Sequence, residues 1–579
     1  MATLRDFFSA FYVKVNGQDL PEAQINNITD LTVEQNIHLP DATTLHMRDA
    51  NTSTGGSTPL HFDLIDKDIM PIGAELEIWM GRDAQPKKVF NGEIIAHHVD
   101  TLPGSPPILV IRAFDRAHRL QRGRTSTTYL QMTDSDIASK VARAAGLQPK
   151  VDKTDQVYDH VLQNNQTNWE FLLERAARIG FDVYVEDRTL YFAKPKTQDS
   201  AAFSAELWKD VLRTNIRMTS TGQVNDVMVQ GWDPKTKKAV IGRATNGAAT
   251  ARGGGIPSGA DLAKPFGKAT MTLASQPVSS QAEADKLAQS VADDVAGNAM
   301  HLEAEVTGNA AVKPGIVLSL TEFGERFSGQ YYVTAARHHV SALKGYTTSF
   351  TVSGRRSGSM VESFGAGKAT GHANGANGHG AGSAIAIGIV TNNKDPQNKG
   401  RVKVKLPWLS DVETDWARIV APGGGKERGL YWLPEVNDEV MVAFEQGNTS
   451  RPYILGGLWN DQDQPPKGNS DVVDGGGQVN KRIIRSRSGH TVTLDDTSGH
   501  GQITIVDSSG NNTITIDTSN NKITISAQGD LEFKAGGDVK VTGNNVSLTA
   551  QASAKLSGAS SSIEAQGTVD IKGATVNLN

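Results

Sequence analysis

The last ninety or so residues of the chain repeat one short strand pattern about eleven times, between Ser488 and Asn579. Units such as GQITIVDSS, NTITIDTS and NKITISAQG follow one another roughly every seven to nine residues. Within each unit hydrophobic residues alternate with polar ones, which predicts a strand with one buried face. A repeat of seven to nine residues can form only one side of a β-helix. A single-chain solenoid needs roughly twenty residues per turn to enclose its own core. We therefore expect three copies of the chain to close the repeat into a trimeric, triple-stranded parallel β-helix.

The alternation also selects the side chains that such a needle would bury. Each unit offers two hydrophobic candidates at alternate positions. The predicted needle core consists of Ile503, Ile505, Ile514, Ile516, Ile523, Ile525, Val539, Val541, Val569 and Ile571. A charge at Ile514 would be desolvated in the assembled needle, so we expect Ile514→Asp to prevent trimerisation.

A chain of 579 residues is long enough for several domains, and its composition changes along its length. The predicted blocks are an α+β hub at residues 1–353 with a helical insert near 130–196, a glycine-rich linker at 354–384, a barrel at 385–465, a joint at 466–487 and the needle at 488–579. The expected fold class is mainly β, with β-barrel-like domains in the hub.

Charge and composition exclude several classes of function. The formal net charge of −5 gives no electrostatic footprint for nucleic acid or an anionic membrane. Cysteine is absent, which excludes disulfides and thiolate metal sites. No stretch approaches the ~20 apolar residues of a membrane span. The N-terminal residues MATLRDFFSAFYVKV lack a signal-peptide pattern, so we expect synthesis in the cytoplasm without a signal peptide.

Three helices can be placed in the hub from their caps and hydrophobic spacing. Thr133 or Ser135 is expected to cap DSDIASKVARAA. Thr167 or Asn168 is expected to open WEFLLERAARI, and the following FDVYVEDRTLYFA reads as a hairpin. A third helix is predicted from Ser279 to Gly297. The remaining hub segments are strand-like and follow one another at the short intervals of small barrels or sandwiches.

The strand-rich block carries a family resemblance. The segment GIVTNNKDPQNKGRVKVKLPWL and its continuation to Asn460 resemble the baseplate-spike OB domain of contractile injection machines. The matched motif residues are Asp395, Pro396, Gly400, Arg401, Pro434, Arg451 and Pro452. WEFLLERAARIGFDVYVEDRTLYF similarly resembles the hub domain of contractile phage tails. With the needle, the chain resembles the VgrG-type spike, a fusion of tail hub and tail needle. The machine could be a phage tail, a type VI secretion system or an extracellular tail-like particle, and the hub segment resembles the hubs of the phage and tail-like-particle types more closely than those of type VI.

The residues of this block also predict a barrel without the resemblance. Val402, Val404 and Leu406 alternate on one strand face, and Tyr431 and Trp432 are expected to add to the core. Five short strands in about seventy residues suit an OB fold.

OB folds often bind single strands or sugars through aromatic and basic residues. The candidates here are Trp408, Trp416, Lys403 and Lys405. We favour the alternative, in which the tryptophans pack the barrel and the lysines are solvated, because the surrounding chain is not basic.

The histidines do not form a convincing metal site in the sequence. His97-His98 and His338-His339 are adjacent pairs, and adjacent residues of a strand point to opposite faces. His372 and His379 lie in the predicted linker. No metal, no cofactor and no catalytic residues are expected, and the chain is not expected to be an enzyme.

The resemblance implies a homotrimeric central spike that plugs the front of the inner tube and pierces the target envelope when the sheath contracts. The implied partners are two further copies of the chain, inner-tube and baseplate proteins at the hub, a PAAR-type tip protein at the C-terminus and a cargo effector. We predict that Val576, Leu578 and Asn579 from three chains form the docking platform for the tip protein. No nucleic acid is expected as a partner, and the membrane is met only by mechanical piercing. The particle would be extracellular or attached to a membrane.

Two other classes of function stay open. One is a trimeric β-helical adhesin or polysaccharide-degrading tailspike. The other is an OB-fold nucleic-acid-binding protein, which salt-sensitive binding to single-stranded oligonucleotides would reveal.

Overall fold

The protein is mainly β and divides into two compact units, Met1–Trp459 and Asn460–Asn579. The computed structural model describes residues 10–51, 61–82, 86–102, 106–233, 238–253, 255–274, 278, 280–341, 344–354, 385–407 and 413–577. The predicted linker at 354–384 therefore lies outside the described residues except for Gly354.

In its described residues, the N-terminal part of the first unit is built from strands and short helices. Its strands are β1 (Ala10–Val15), β2 (Gln18–Asp19), β3 (Ile28–Asn36), β4 (Leu39–Met47), β5 (Ala50–Asn51), β6 (His61–Phe62), β7 (Glu75–Gly81), β8 (Lys87–Asp100) and β9 (Ile108–Phe114). The helices are α1 (Glu22–Ile25) and α2 (Asp63–Asp66), and a 3-10 helix follows at Arg116–Gln121. Alternate residues of the long strands, such as Val13, Leu31, Leu45, Leu76 and Ile111, are fully buried in one core.

A helical insert follows and forms its own hydrophobic core. Its elements are β10 (Thr125–Thr133), α3 (Asp134–Ala144), β11 (Gln148–Val151), β12 (Val157–Gln166), α4 (Asn168–Ile179), β13 (Asp182–Glu186) and β14 (Thr189–Ala193). The predicted helices are confirmed, and Thr133 and Thr167 are their caps: each threonine hydroxyl accepts a hydrogen bond from the backbone N–H three residues on. Ser135 and Asn168 lie inside the helices. Gly180 ends α4 in the left-handed conformation, with φ 74°.

The rest of the hub contains the third predicted helix and more strands. They are β15 (Phe203–Glu206), β16 (Val211–Met218), β17 (Asp226–Asp233), β18 (Lys238–Ala244), β19 (Ala251–Arg252), α5 (Gly259–Ala263), β20 (Thr270–Leu273), α6 (Gln281–Gly297), β21 (Met300–Thr307), β22 (Val317–Thr321), β23 (Gly329–Tyr332), β24 (Ala335–Ser341) and β25 (Gly345–Val352). A 3-10 helix spans Lys264–Phe266. Ser280 caps α6, and this helix packs on β17 and β18.

One sheet runs through both halves of the hub. Its eleven strands lie in the order β16-β21-β25-β24-β3-β4-β9-β8-β7-β1-β2. The two halves join where β24 pairs antiparallel with β3, with Val340 opposite Leu31. Strands far apart in sequence thus share one ladder, and the hub is continuous across the helical insert.

The five-stranded barrel domain closes the first unit. Its strands are β26 (Ile385–Asn392), β27 (Lys403–Lys405), β28 (Arg418–Ile419), β29 (Glu439–Phe444) and β30 (Pro452–Gly457), in the order β27-β26-β29-β30-β28. A 3-10 helix spans Glu445–Gly447. Val402, Val404 and Leu406 are fully buried, as predicted.

The second unit holds the needle repeats. It contains α7 (Asn469–Val472), β31 (Lys481–Arg485), β32 (Thr491–Asp495), β33 (Gln502–Val506), β34 (Thr513–Asp517) and β35 (Lys522–Ser526). These strands pair antiparallel in sequence order, so the parallel arrangement predicted for every repeat is wrong for this segment. Turns of a few residues connect the strands, and such short connections allow only antiparallel neighbours. Residues 527–577 are described and contain no strand.

Candidate functional site

The meander β31–β35 has one hydrophobic and one polar face. Val492, Ile505, Ile514 and Ile525 stand directly opposite one another on successive strands and form one hydrophobic column. A second column on the same face consists of Leu494, Ile503, Ile516 and Ile523. On the other face, Thr493, Thr504, Thr515 and Thr524 form a threonine ladder. The alternation read from the sequence thus places the predicted core residues of this segment on one face.

The hydrophobic face is uncovered in the single chain. Ile514 is 40% exposed and Ile523 is 68% exposed. Val539, Val541 and Ile571, further along, are exposed as well. The same holds for the rest of the predicted core: Ile503, Ile505, Ile516, Ile525 and Val569. One copy of the chain therefore does not bury these residues, and their burial stays a prediction that depends on other copies.

Beyond Ser526 the backbone has no partner strand of its own. Residues 527–577 form no backbone–backbone hydrogen bond within the described chain, although the hydrophobic repeat continues. Unpaired backbone N–H and C=O groups beside exposed hydrophobic side chains are unfavourable, because both need partners. Of the predicted tip residues, Val576 is 47% exposed, and Leu578 and Asn579 lie outside the described residues.

In the barrel, the motif residues Asp395 and Arg401 hold the loop between β26 and β27. Arg401 donates from Nη2 to Asp395 Oδ1 at 2.7 Å and from Nε to Oδ2 at 3.0 Å. The same carboxylate accepts hydrogen bonds from the backbone N–H groups of Gln397 and Lys399. The Arg401 guanidinium, with these N–H groups, holds the pKa of Asp395 well below its usual range.

The other motif residues support this loop and its neighbours. Gly400 adopts φ +67° and lies against the Tyr431 ring. Pro396 follows Asp395 in an exposed turn, and the Pro434 carbonyl accepts from Asn393 Nδ2 at 3.3 Å. Pro452 is buried at the start of β30.

The aromatic residues of the barrel differ from expectation. Tyr431 is 76% exposed and Trp432 is 56% exposed, so the prediction that they pack the core is wrong. Residues 423–432 form an exposed loop, and the valines and leucines of the strands already fill the small core. Trp408 lies outside the described residues.

Trp416 and the lysines are engaged within the barrel. Trp416 is half-buried, with the Lys403 ammonium 5.6 Å and the Arg401 guanidinium 5.9 Å from its ring centre. Lys403 also pairs with Glu413 at 2.9 Å. Two of the predicted nucleic-acid-binding candidates, Lys403 and Trp416, thus contact each other. Lys405 contributes its backbone to β27.

Sequence reasoning missed the junction between the hub and the barrel. Leu162, on β12 of the insert, is buried and packs into the barrel core, and its backbone N–H donates to Ser450 Oγ at 3.2 Å. On the same strand His160 Nε2 lies 3.3 Å from the Glu413 carbonyl oxygen. These partners are more than 250 positions apart in sequence, so no local pattern marks them.

Three charged side chains, two of them paired with the third, connect this junction to α6. Glu283, in the first turn of α6, accepts from Arg178 at 2.7 Å and lies 3.9 Å from Arg451 of the barrel. All three side chains are largely withdrawn from solvent. The motif residue Arg451 also lies 3.5 Å from Glu445. It therefore contributes to the contact between barrel and hub.

Three of the paired histidines, His97, His338 and His339, form hydrogen bonds with neighbouring groups. His97 Nε2 lies 2.8 Å from the Met70 carbonyl, and His339 pairs with Asp30 at 2.7 Å. His338 is buried beside the Tyr346 hydroxyl, and burial lowers its pKa to about 4. His372 and His379 lie outside the described residues. Among the residues that the structure describes, no group of three or more His, Asp or Glu side chains is placed to hold a metal ion.

Comparison with known families identifies the first unit. The profile described as the Alg8 N-terminal domain matches residues 6–342, more than half of the chain. The chain belongs to this family. A second profile, described as the type VI secretion system/phage-baseplate injector OB domain, matches residues 386–459. The OB fold predicted for this block is thereby confirmed.

The chain is homologous to VgrG spike proteins, which confirms the resemblance read from its motifs. It is 30% identical over 105 residues to the type VI secretion system spike protein VgrG5 of Pseudomonas aeruginosa, covering 16% of this chain and 13% of that protein. The spike protein VgrG3 of Vibrio cholerae is 25% identical over 118 residues, which cover 19% of this chain and 11% of that protein. The chain thus spans only about an eighth of the length of these relatives.

Solved structures of tail and secretion proteins are also similar. A type VI secretion component of E. coli, described as structurally similar to the phage T4 tail proteins gp27 and gp5, aligns over 77% of this chain and 99% of its own, with 12% identity and a TM-score of 0.46. The 43 kDa tail protein of prophage MuSo2 from Shewanella oneidensis covers 59% of this chain and 97% of its own, with 12% identity and a TM-score of 0.44. Within the described part of the chain, no helix is both long and apolar enough to span a membrane.

Proposed function

We propose that the protein is the homotrimeric central spike of a contractile injection machine. Its homology to VgrG spike proteins and the match of its barrel to the injector OB domain support a spike component of such a system. In this role the hub plugs the front of the inner tube and contacts baseplate proteins, and the spike pierces the target envelope when the sheath contracts.

The uncovered hydrophobic face of β31–β35 carries the trimer proposal. Two columns of isoleucine, leucine and valine side chains are exposed in one chain, whereas the opposite face carries threonines. Burying such columns between copies would stabilise the assembly by roughly 25 cal/mol for each Å² of apolar surface removed from water. Three copies meeting through this face bury all columns around one axis, and residues 527–577 then find backbone partners on the neighbouring copies.

The C-terminal end of the needle is proposed to dock a PAAR-type tip protein. Val576, Leu578 and Asn579 belong to the repeat unit TVNLN, and three chains would present three such segments side by side. A tip protein that pairs with these segments would satisfy their backbone groups. A cargo effector is a further proposed partner.

The proposal contains no catalytic step. The named relatives are spike and tail proteins, and work is done on the envelope by the contracting sheath rather than by a reaction of this chain. The particle would be extracellular or membrane-attached. The nucleic-acid alternative is not favoured, since Lys403 already lies over the Trp416 ring and forms an ion pair with Glu413.

Absolute mass in solution, measured by light scattering behind a sizing column, tests the assembly. A trimer of the 61.9 kDa chain would have a mass of about 186 kDa and an elongated hydrodynamic shape. A compact monomer at micromolar concentration would overturn the proposal.

A further inference from the structure

The junction between β12 of the insert and the barrel contains one buried histidine. His160 is only 9% exposed and lies between the insert and the segment of the barrel that leads into β28. Because a carbonyl oxygen only accepts, the contact with Glu413 requires that His160 Nε2 carry the proton. Nδ1 is then unprotonated, and it is buried with no hydrogen-bond partner among the described residues.

The charges around His160 come mainly from the barrel. Asp415 and Glu413 attract a positive imidazolium, and Lys403, which pairs with Glu413, repels it. Burial outweighs the attraction and lowers the pKa of His160 below its ordinary value. Burial would raise the pKa of Glu413, but hydrogen bonds from Thr391 and Lys403 outweigh it and lower that pKa. Glu413 thus stays ionised while the imidazole titrates.

A second proton on His160 would sit on Nδ1. That N–H would be buried without an acceptor among the residues that the structure describes, and the imidazolium would be desolvated beside the Lys403 ammonium. The contacts that hold β12 to the barrel lie on the same strand, two residues away at Leu162. The cost of protonation is relieved when the two surfaces separate and water reaches the ring.

We infer that the contact between β12 and the barrel is a proton-sensitive joint, closed when His160 is neutral and loosened when this histidine takes up a second proton. The folded pKa is depressed, so the stabilising contribution of the neutral ring is complete above pH 6.5 or so and is lost as the pH falls below it. The joint lies within one chain, and its behaviour is independent of whether three chains assemble.

Hydrogen–deuterium exchange of the full-length protein tests this joint locally. Exchange is measured from pH 7.5 to pH 5, with labelling times corrected for the chemical exchange rate, in peptides covering residues 157–166 and 413–419. We expect protection in both peptides to fall about tenfold over this range, whereas protection in β17 and β18, which lie outside the sheet that contains Asp41 and His338, stays constant.

Three variants separate the histidine from other titrating groups. His160→Gln keeps a neutral donor for the Glu413 carbonyl and should abolish the pH response. His97→Gln, at a histidine bonded to the Met70 carbonyl, should respond like the wild type. Lys403→Met removes the repelling cation and should move the midpoint of the response to higher pH.

A pH response that persists in His160→Gln would overturn the inference, as would unchanged protection in the wild type. If His160→Gln proves unfolded, the test rests on Lys403→Met alone. A shift of its pH midpoint to higher pH supports the proton-sensitive joint, and a shift to lower pH refutes it.

Discussion

Arg401 and Asp395 form a two-point ion pair that ties the two ends of the barrel loop together. Both Arg401 donors, Nη2 and Nε, point at one carboxylate, at 2.7 and 3.0 Å. Backbone N–H groups of the same loop donate to that carboxylate too. The loop conformation therefore depends on a planar, two-point donor, which lysine does not offer.

Replacing Arg401 by lysine should destabilise the barrel by about 1–2 kcal/mol, because one of the two charged hydrogen bonds is lost. The folded pKa of Asp395 is depressed by Arg401, so this stability is present above about pH 4 and is lost as the pH falls further. Denaturant unfolding at pH 7 and pH 3 would measure the difference, which should be smaller at the lower pH. The exposed loop variant Lys399→Arg should behave like the wild type, and an equal loss in both variants would contradict the two-point role.

Asp41 should give the hub a stability that depends on pH in the opposite direction. Burial raises its pKa to about 7, even though Gln35 Nε2 and the Asn36 N–H donate to its carboxylate. A raised folded pKa means that the contribution of the protonated acid is complete below about pH 4 and is lost as the pH rises to 7.

Asp41→Asn should therefore gain stability relative to the wild type as the pH rises from 4.5 to 8, by on the order of 2 kcal/mol. Thermal unfolding of both proteins across this range measures the gain. Asp285→Asn, at an exposed position of α6, is the matched control and should show no such trend. A constant difference between Asp41→Asn and the wild type would show that the carboxyl is ionised throughout.

The two faces of the needle sheet offer a pair of adjacent substitutions. Ile514→Asp places a carboxylate in the hydrophobic column and should prevent trimerisation, because three buried unpaired charges cost several kcal/mol each. Thr515→Asp changes the next residue, on the threonine face, and should leave the trimer intact. Light scattering gives the mass of each variant. A heat-resistant Ile514→Asp trimer would refute a needle closed through this face.

Removing the last dozen or so residues tests the tip. The truncated protein should remain a trimer, because most of the repeat is retained, but should lose binding to a PAAR-repeat protein. Pull-down or interferometry with a purified PAAR-repeat protein measures this loss. Binding that survives truncation would place the docking surface away from Val576 and its neighbours.

Local signals predicted the local elements well. Thr133 and Thr167 cap their helices because a hydroxyl three residues before an acidic side chain is a short-range pattern. The valines of β27 and its flanks were buried as their alternation indicated. The sequence did not predict the antiparallel pairing of β31–β35, because the repeat length alone suggested the turns of a parallel β-helix. The short turns between the strands instead require that neighbouring strands run antiparallel.

Long-range contacts could not be read from the chain. The pairing of β3 with β24 joins residues some 300 positions apart, and the insertion of Leu162 into the barrel core joins two domains. Tyr431 was expected in the core because it is aromatic, yet the core was already filled by aliphatic side chains. Such outcomes depend on the volume left by residues elsewhere in the sequence.

The two-faced register of the meander restricts how a needle of this kind can change its length. One residue inserted within β33 or β34 would move every following isoleucine of that strand to the threonine face, because side chains alternate with a period of two. Insertions are absorbed only in the turns, such as the one that Gly510 closes with φ +76°. Lineages should therefore lengthen or shorten the shaft by gain or loss of whole repeats, and single-residue indels should be confined to the bends between them.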